Sequence, residues 1–185
     1  MDLSKFKTSD WLKIGGAVAV LIGYFLDWTS FDCGGVPSSV CNSLNLSGSD
    51  FFFRGTLPWL LVVIVGVLTF LMASGTMKSG SLPWPLIFLA ATGLATLLVL
   101  IYVIHPSYSG VTGLGRGIGA FITLIGAGVA CFGSVTGFKE SGGDLADLKD
   151  MNKIKGAFKG AGSSDAPPPP PPPGMSPPPP PPPPA

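Results

Sequence analysis

The chain has 185 residues, of which 11% are charged, and a formal net charge of +1. An ordinary soluble domain carries roughly 25% charge, so this composition disfavours a soluble globular enzyme, which would lack a charged surface. Eleven Lys and Arg against ten Asp and Glu exclude a basic nucleic-acid binder, and three Cys exclude a cysteine-rich secreted scaffold.

The charge is segregated. Residues 139–185 hold ten of the 21 charged groups, and uncharged runs cover 14–26, 55–77, 79–115 and 117–138. A membrane span needs about 20 apolar residues. The pattern predicts an all-α integral membrane protein, a four-transmembrane-helix bundle with a disordered polyproline C-terminal tail. The membrane domain is expected over 1–138, with spans near 11–28, 57–73, 83–105 and 115–137.

The first run is short. Lys13 is expected to snorkel to one surface and Asp27 to mark the other. Lys5, Lys7 and Lys13 ahead of an apolar stretch also suit a signal peptide. Residues 27–31, Asp-Trp-Thr-Ser-Phe, offer no small-x-small cleavage site, so an uncleaved helix is expected.

Residues 29–53 form the sizeable external loop. Cys33 and Cys41 lie within it, and outside the membrane they are expected to form a disulfide. Two Cys with no nearby His make a poor metal site. Asn45-Leu46-Ser47 fits the N-glycosylation pattern, which also arises by chance. Phe51, Phe52 and Phe53, beside Arg54, suit the membrane interface. Pro58 suits the first turn of the second helix.

Lys and Arg asymmetry orients the chain. With four spans, nine Lys fall on the side of the termini and only Arg54 and Arg116 on the other. Both termini are therefore expected in the cytoplasm, with the protein in the plasma membrane. Trp11, Trp28, Trp59 and Trp84 fall at predicted span ends and are expected to anchor the interfaces, with Tyr102 and Tyr108 flanking the outer end of the third span.

Functional membrane proteins commonly carry ionisable groups within their spans. Here Asp27, His105 and Arg116 map to outer ends, where an Asp27–Arg116 pair would be sensible. A polar path has only Tyr24, Thr69, Thr92, Thr96 and Thr123 to use, and such hydroxyls often bond their own helix. Gly113-x3-Gly117 and Gly115-x3-Gly119 overlap at the head of the fourth span, and Gly16 and Gly23 lie seven apart in the first. Small residues let helices approach closely, either within the bundle or between copies in a homo-oligomer. Gly113 to Gly117 superficially matches a dinucleotide loop, but no strand precedes it and no suitably spaced acid follows. Cys131, inside the fourth run, is expected to be a buried small hydrophobe.

Residues 139–160 read as a juxtamembrane amphipathic segment. Asp144 is expected to cap a helix reaching about residue 158, with Leu148, Met151, Ile154 and Phe158 on one face. Lys149, Lys153, Lys155 and Lys159 would then face anionic lipid. In the tail, 161–185, 15 of the 20 prolines form two runs broken by Gly174-Met175-Ser176. Proline runs adopt polyproline II, and 18 residues at about 3.1 Å each reach some 55 Å. Such a rod suits the aromatic groove of a cytoplasmic polyproline-binding protein, or serves as a spacer.

Gly15-Gly16, then Gly23-x-Phe25-Leu26-Asp27-Trp28, resembles the first span of small four-span membrane proteins of actinobacteria-like genomes. Those often carry Pro where Asp27 stands. Phe52-Phe53-Arg54-Gly55-Thr56-Leu57-Pro58-Trp59 resembles the start of their second span. The resemblance covers about the first 138 residues, implies a bacterial plasma membrane and supplies no activity. The layout is also similar to claudins in topology, without their Gly-Leu-Trp motif. The pattern as a whole points to a non-catalytic scaffold, adaptor or accessory subunit with no cofactor. The alternatives are a small transporter or channel subunit and, with no catalytic group to name, an intramembrane enzyme.

Overall fold

In a computed structural model the protein is described over residues 6–31, 46–77, 82–105 and 114–159. Four long helices follow the four uncharged runs: α1 Thr8–Phe25, α2 Leu57–Ala73, α3 Trp84–Ile104 and α4 Ile118–Glu140. Each packs on its neighbour in sequence, and α4 closes back onto α1 in the largest helix–helix interface. The start of α1 and the end of α4 share one end of the bundle, called here the terminal end. The opposite end is the loop end.

Three stretches are long and apolar enough to cross a membrane: Phe52–Ala73, Trp84–Ile104 and Ile118–Glu140. By length and composition the described helices thus supply three spans where four are expected. The polar first turns of α1, with Asp10 and Lys13, keep it out of that set. The bundle wears its large side chains outside: Val18, Ile22, Leu97, Ile125 and Phe132 are exposed, while Ala17, Ala95, Ala120, Ala127 and Ala130 are buried. An apolar belt of this kind suits lipid better than water.

The seam between α1 and α4 runs on glycines seven residues apart, Gly16 and Gly23 facing Gly119, Gly126 and Gly133. A Cβ at Gly16 would fall 2.6 Å from the Ala130 nitrogen and the Gly126 carbonyl. One at Gly126 would fall 2.9 Å from the Gly16 carbonyl. The backbones are therefore in contact, a spacing that side chains would prevent. The expected GxxxG overlap packs closely against residues 23–30, but mostly not as helix. Gly115 lies in a strand, Gly117 is the N-cap of α4, and only Gly119 of that set is helical. Gly113 lies outside the described residues.

The fold is also not purely helical. Strands β1 Thr29–Phe31 and β2 Leu114–Arg116 pair antiparallel at the loop end, with Thr29 opposite Arg116 and Phe31 opposite Leu114. The Trp28 carbonyl accepts the Gly117 N–H at 2.8 Å and the Asp27 carbonyl accepts the Gly119 N–H at 2.9 Å. Residues 27 and 28 thus spend their carbonyls on a distant segment. For that reason α1 stops at Phe25 and α4 starts only at Ile118, inside both predicted spans. A 3-10 turn, Gly48–Asp50, and a π-helical turn, Phe52–Thr56, lead into α2.

Beyond α4, Asp144 accepts the Ala146 N–H at 3.0 Å and opens only a 3-10 turn, Leu145–Lys149. Helix α5, Met151–Lys159, has its own cap, with the Asp150 carboxylate accepting the Asn152 N–H at 2.9 Å. One continuous helix from Asp144 is therefore replaced by two short pieces. Cys131 is half-buried, because the outer side of α4 leaves it partly uncovered. Residues Cys33, Cys41, Asn45 and Tyr108, and the tail from 160, lie outside the described residues.

Gly126→Leu should drive α1 from α4 and lower the unfolding temperature in detergent, by an overpacking cost of about 1–3 kcal/mol or more. Gly128, whose added Cβ meets nothing within 4 Å, is the control: Gly128→Leu should leave that temperature almost unchanged.

Candidate functional site

The polar groups of the bundle collect at its two ends. Between them the hydroxyls are turned back on their own helices. Thr92 donates to the Phe88 carbonyl at 2.7 Å, Thr96 to Thr92 at 2.8 Å, Thr123 to Gly119 at 2.8 Å and Ser134 to Ala130 at 2.9 Å. Tyr24 and Thr56 pair at 3.3 Å. Of the five polar stepping stones foreseen from the sequence, Thr69 differs. It is 2% exposed, and its Oγ1 has no hydrogen-bond partner among the described residues.

At the loop end the expected trio is arranged by backbone contacts. Arg116 in β2 donates to the Ile104 carbonyl at 3.4 Å. His105 is the C-cap of α3, and its carbonyl accepts Arg54 Nη1 at 2.9 Å. Two guanidinium groups thus cover the last carbonyls of α3, where the helix dipole favours cations. The Asp27 backbone contributes its carbonyl to the head of α4 and pairs with Ser47 in an isolated antiparallel β-bridge. Arg54 joins this cluster without a sequence signal, since its position thirteen residues after Cys41 suggests no pairing.

Trp28 departs from its predicted role. It is fully buried, its Nε1 donates to the Gly23 carbonyl at 2.9 Å, and its ring lies 5.0 Å from that of Tyr102. Tyr102, also expected at an interface, is fully buried and donates to the Trp28 carbonyl at 3.2 Å. The β1–β2 pair pulls this segment inward, so Trp28 plugs the loop end instead of anchoring it. Trp11 is half-exposed and meets Phe6 at the terminal end. Trp59 stacks on Tyr24 at 4.8 Å, and Trp84 sits 5.7 Å from Phe88. The Nε1 atoms of Trp59 and Trp84 are buried without a partner among the described residues.

The terminal end holds the candidate site, a cavity of about 290 Å³ between all four helices. The start of α1 supplies Ser9, Asp10 and Lys13, α2 supplies Thr69, α3 supplies Trp84 and Phe88, and α4 supplies Glu140. Lys13 does not snorkel. It is 7% exposed, its Nζ lies 3.0 Å from Asp10, and it sits 5.5 Å above the Phe88 ring. Asp10 also accepts the Lys7 backbone N–H at 3.2 Å, which fixes it at the helix N-terminus. Ser9 donates to Glu140 at 2.9 Å and so ties the first turn of α1 to the last turn of α4. One to two turns deeper, Ala17, Val20, Val62, Ala95, Ala127 and Ala130 close the core.

The inward setting of Lys13 has a signal in the sequence. It falls on the same stripe as Gly16, Val20 and Gly23, at steps of three and four. Ser9 falls on that stripe too, four residues before Lys13, whereas the meeting of these groups with Thr69 and Glu140 happens only across helices. Lys149 and Lys155 are exposed, and Lys153 and Lys159 lie on α5. Among the described residues no group of three or more His, Cys, Asp or Glu is placed to hold a metal. The chain matches no protein-family model, no curated protein and no solved structure.

Removing one partner of a buried ion pair leaves the other uncompensated. Lys13→Met should therefore cost about 2 kcal/mol in detergent unfolding, discounted for the partial exposure of Asp10. Adding Asp10→Asn should recover part of that loss. An additive double mutant would show that the pair carries no coupling.

Proposed function

We propose that the protein is a non-catalytic, multi-pass membrane protein that acts as a scaffold, adaptor or accessory subunit. In this reading α1 completes a four-span bundle in the plasma membrane, with both termini in the cytoplasm. The terminal end is then the cytoplasmic one. The observation that carries the reading is the packed interior: the Thr92, Thr123 and Ser134 hydroxyls are bonded to their own helices around a core of alanines and valines, and Thr69 alone among the buried hydroxyls of the spans lacks a partner among the described residues. That arrangement favours a packed anchor over a pathway, and so counts against the alternative of a small transporter or channel subunit.

The working surface is then outside the bundle. Helix α5 presents Phe158 to solvent and packs chiefly on its own preceding turn. Its apolar face, with Lys149, Lys153, Lys155 and Lys159, suits the inner leaflet. The polyproline runs beyond it suit a cytoplasmic partner with an aromatic groove. In the outer loop, Cys33 and Cys41 are expected to be bridged.

Deletion of residues 161–185 should leave membrane insertion intact and abolish partner recovery in crosslinked pull-downs from native membranes. Equal recovery with and without the tail would sink the adaptor reading. Single cysteines placed at residue 2 and residue 160, in a background lacking the native cysteines, should both resist a membrane-impermeant thiol reagent in intact cells. Labelling of either one would overturn the four-span topology.

A further inference from the structure

Lys13 is held where its remaining hydrogen bonds need a partner. An ammonium group has three N–H donors and no acceptor. Among the described residues it has one carboxylate, Asp10, and one aromatic face, Phe88. At 7% exposure, bulk solvent does not complete its shell, and buried donors left unmade are destabilising. The adjoining cavity of about 290 Å³ is far larger than the roughly 10–15 Å³ that one water requires.

The charges lining that cavity balance. Lys7 and Lys13 stand against Asp10 and Glu140. A lone anion at Lys13 would also meet two carboxylates, and a lone cation would meet two ammonium groups. A dipolar guest avoids both conflicts, with its anionic part at Lys13 and its cationic part at Glu140. Glu140 accepts one hydrogen bond from Ser9, and a carboxylate has room for more. Met72, Trp84 and Phe88 add apolar walls. The cavity sits at one end of helices with an apolar outer belt, the depth at which lipid headgroups lie.

We propose that this cavity binds the headgroup of a zwitterionic phospholipid bearing a primary ammonium, of the phosphatidylethanolamine type. A phosphate oxygen accepts from Lys13 and the guest ammonium donates to Glu140. A primary ammonium is chosen because carboxylates accept N–H donors, which a quaternary ammonium lacks. The Phe88 ring, which would otherwise attract a quaternary group, already faces Lys13. The assignment rests on the membrane reading above.

The test uses the full chain in nanodiscs of equal phosphatidylethanolamine, phosphatidylcholine and phosphatidylglycerol, with retained lipid read by native mass spectrometry. Phosphatidylethanolamine should be retained about tenfold over the other two. Lys13→Gln should abolish the preference, and Lys13→Gln with Asp10→Asn, which removes the pair as a unit, should do the same if the single variant folds poorly. Glu140→Lys, at an exposed position, should shift retention toward phosphatidylglycerol. Equal retention of the three lipids, no retained lipid, or a preference unchanged in these variants would overturn the proposal. Displacement of the lipid by equimolar soluble glycerophosphoethanolamine would assign the cavity to a soluble phosphoester instead. A chain that fails to enter nanodiscs and partitions into buffer would overturn the membrane reading itself, which is a separate result.

Discussion

The structure depends on the backbone contact between α1 and α4. Five glycines at sevenfold spacing remove the side chains that would hold the helices apart, so carbonyl and amide groups meet directly along the seam. In lipid there is little hydrophobic gain in bringing apolar helices together, and dispersion between closely fitted surfaces takes over. The two helices that begin and end the bundle are thereby joined, and the ring of four closes. With small residues along the seam, most of the large apolar side chains occupy the outer surface, and Trp28, Tyr102 and Phe88 fill the two ends of the bundle.

Both ends of the bundle follow from that closure. At the loop end, residues 27 and 28 come so near the head of α4 that their carbonyls cap its first amides, and a short strand pair continues the contact. Trp28 and Tyr102 are drawn into the gap beneath, and Arg54 and Arg116 cover the end of α3. At the terminal end, the same close approach brings Ser9 to Glu140 and directs Lys13 inward, where Asp10 and Phe88 receive it. One end is sealed by aromatic packing and the other opens on a charged, balanced cavity. That asymmetry is what gives the terminal end its chemical interest.

Much of the helix layout was legible in the chain. Uncharged runs bounded by single charges set four helices to within a few residues, because a long apolar segment has few alternatives to a helix once water is scarce. The exceptions sit where remote segments meet. Trp28 reads as an interfacial anchor because it falls at a predicted span end, and nothing local announces β2, which begins 86 residues later. Gly115 and Gly117 read as helix-packing residues from a spacing that extended chain does not use. Asp144 read as a helix cap, but Asp150 supplies the cap of the helix that forms. Lys13 read as snorkelling from its place near a helix start, although its stripe with Gly16 and Gly23 pointed inward.

The sequence by itself determined where charge is absent, how long the helices are and which glycines repeat. These are properties of single segments, set by hydropathy and periodicity. Only the tertiary structure decided which glycines touch, that Trp28 and Tyr102 are core residues, and that Lys13, Thr69, Trp84 and Glu140 line one cavity. Those groups come from four helices, and their meeting depends on crossing geometry that no local pattern encodes.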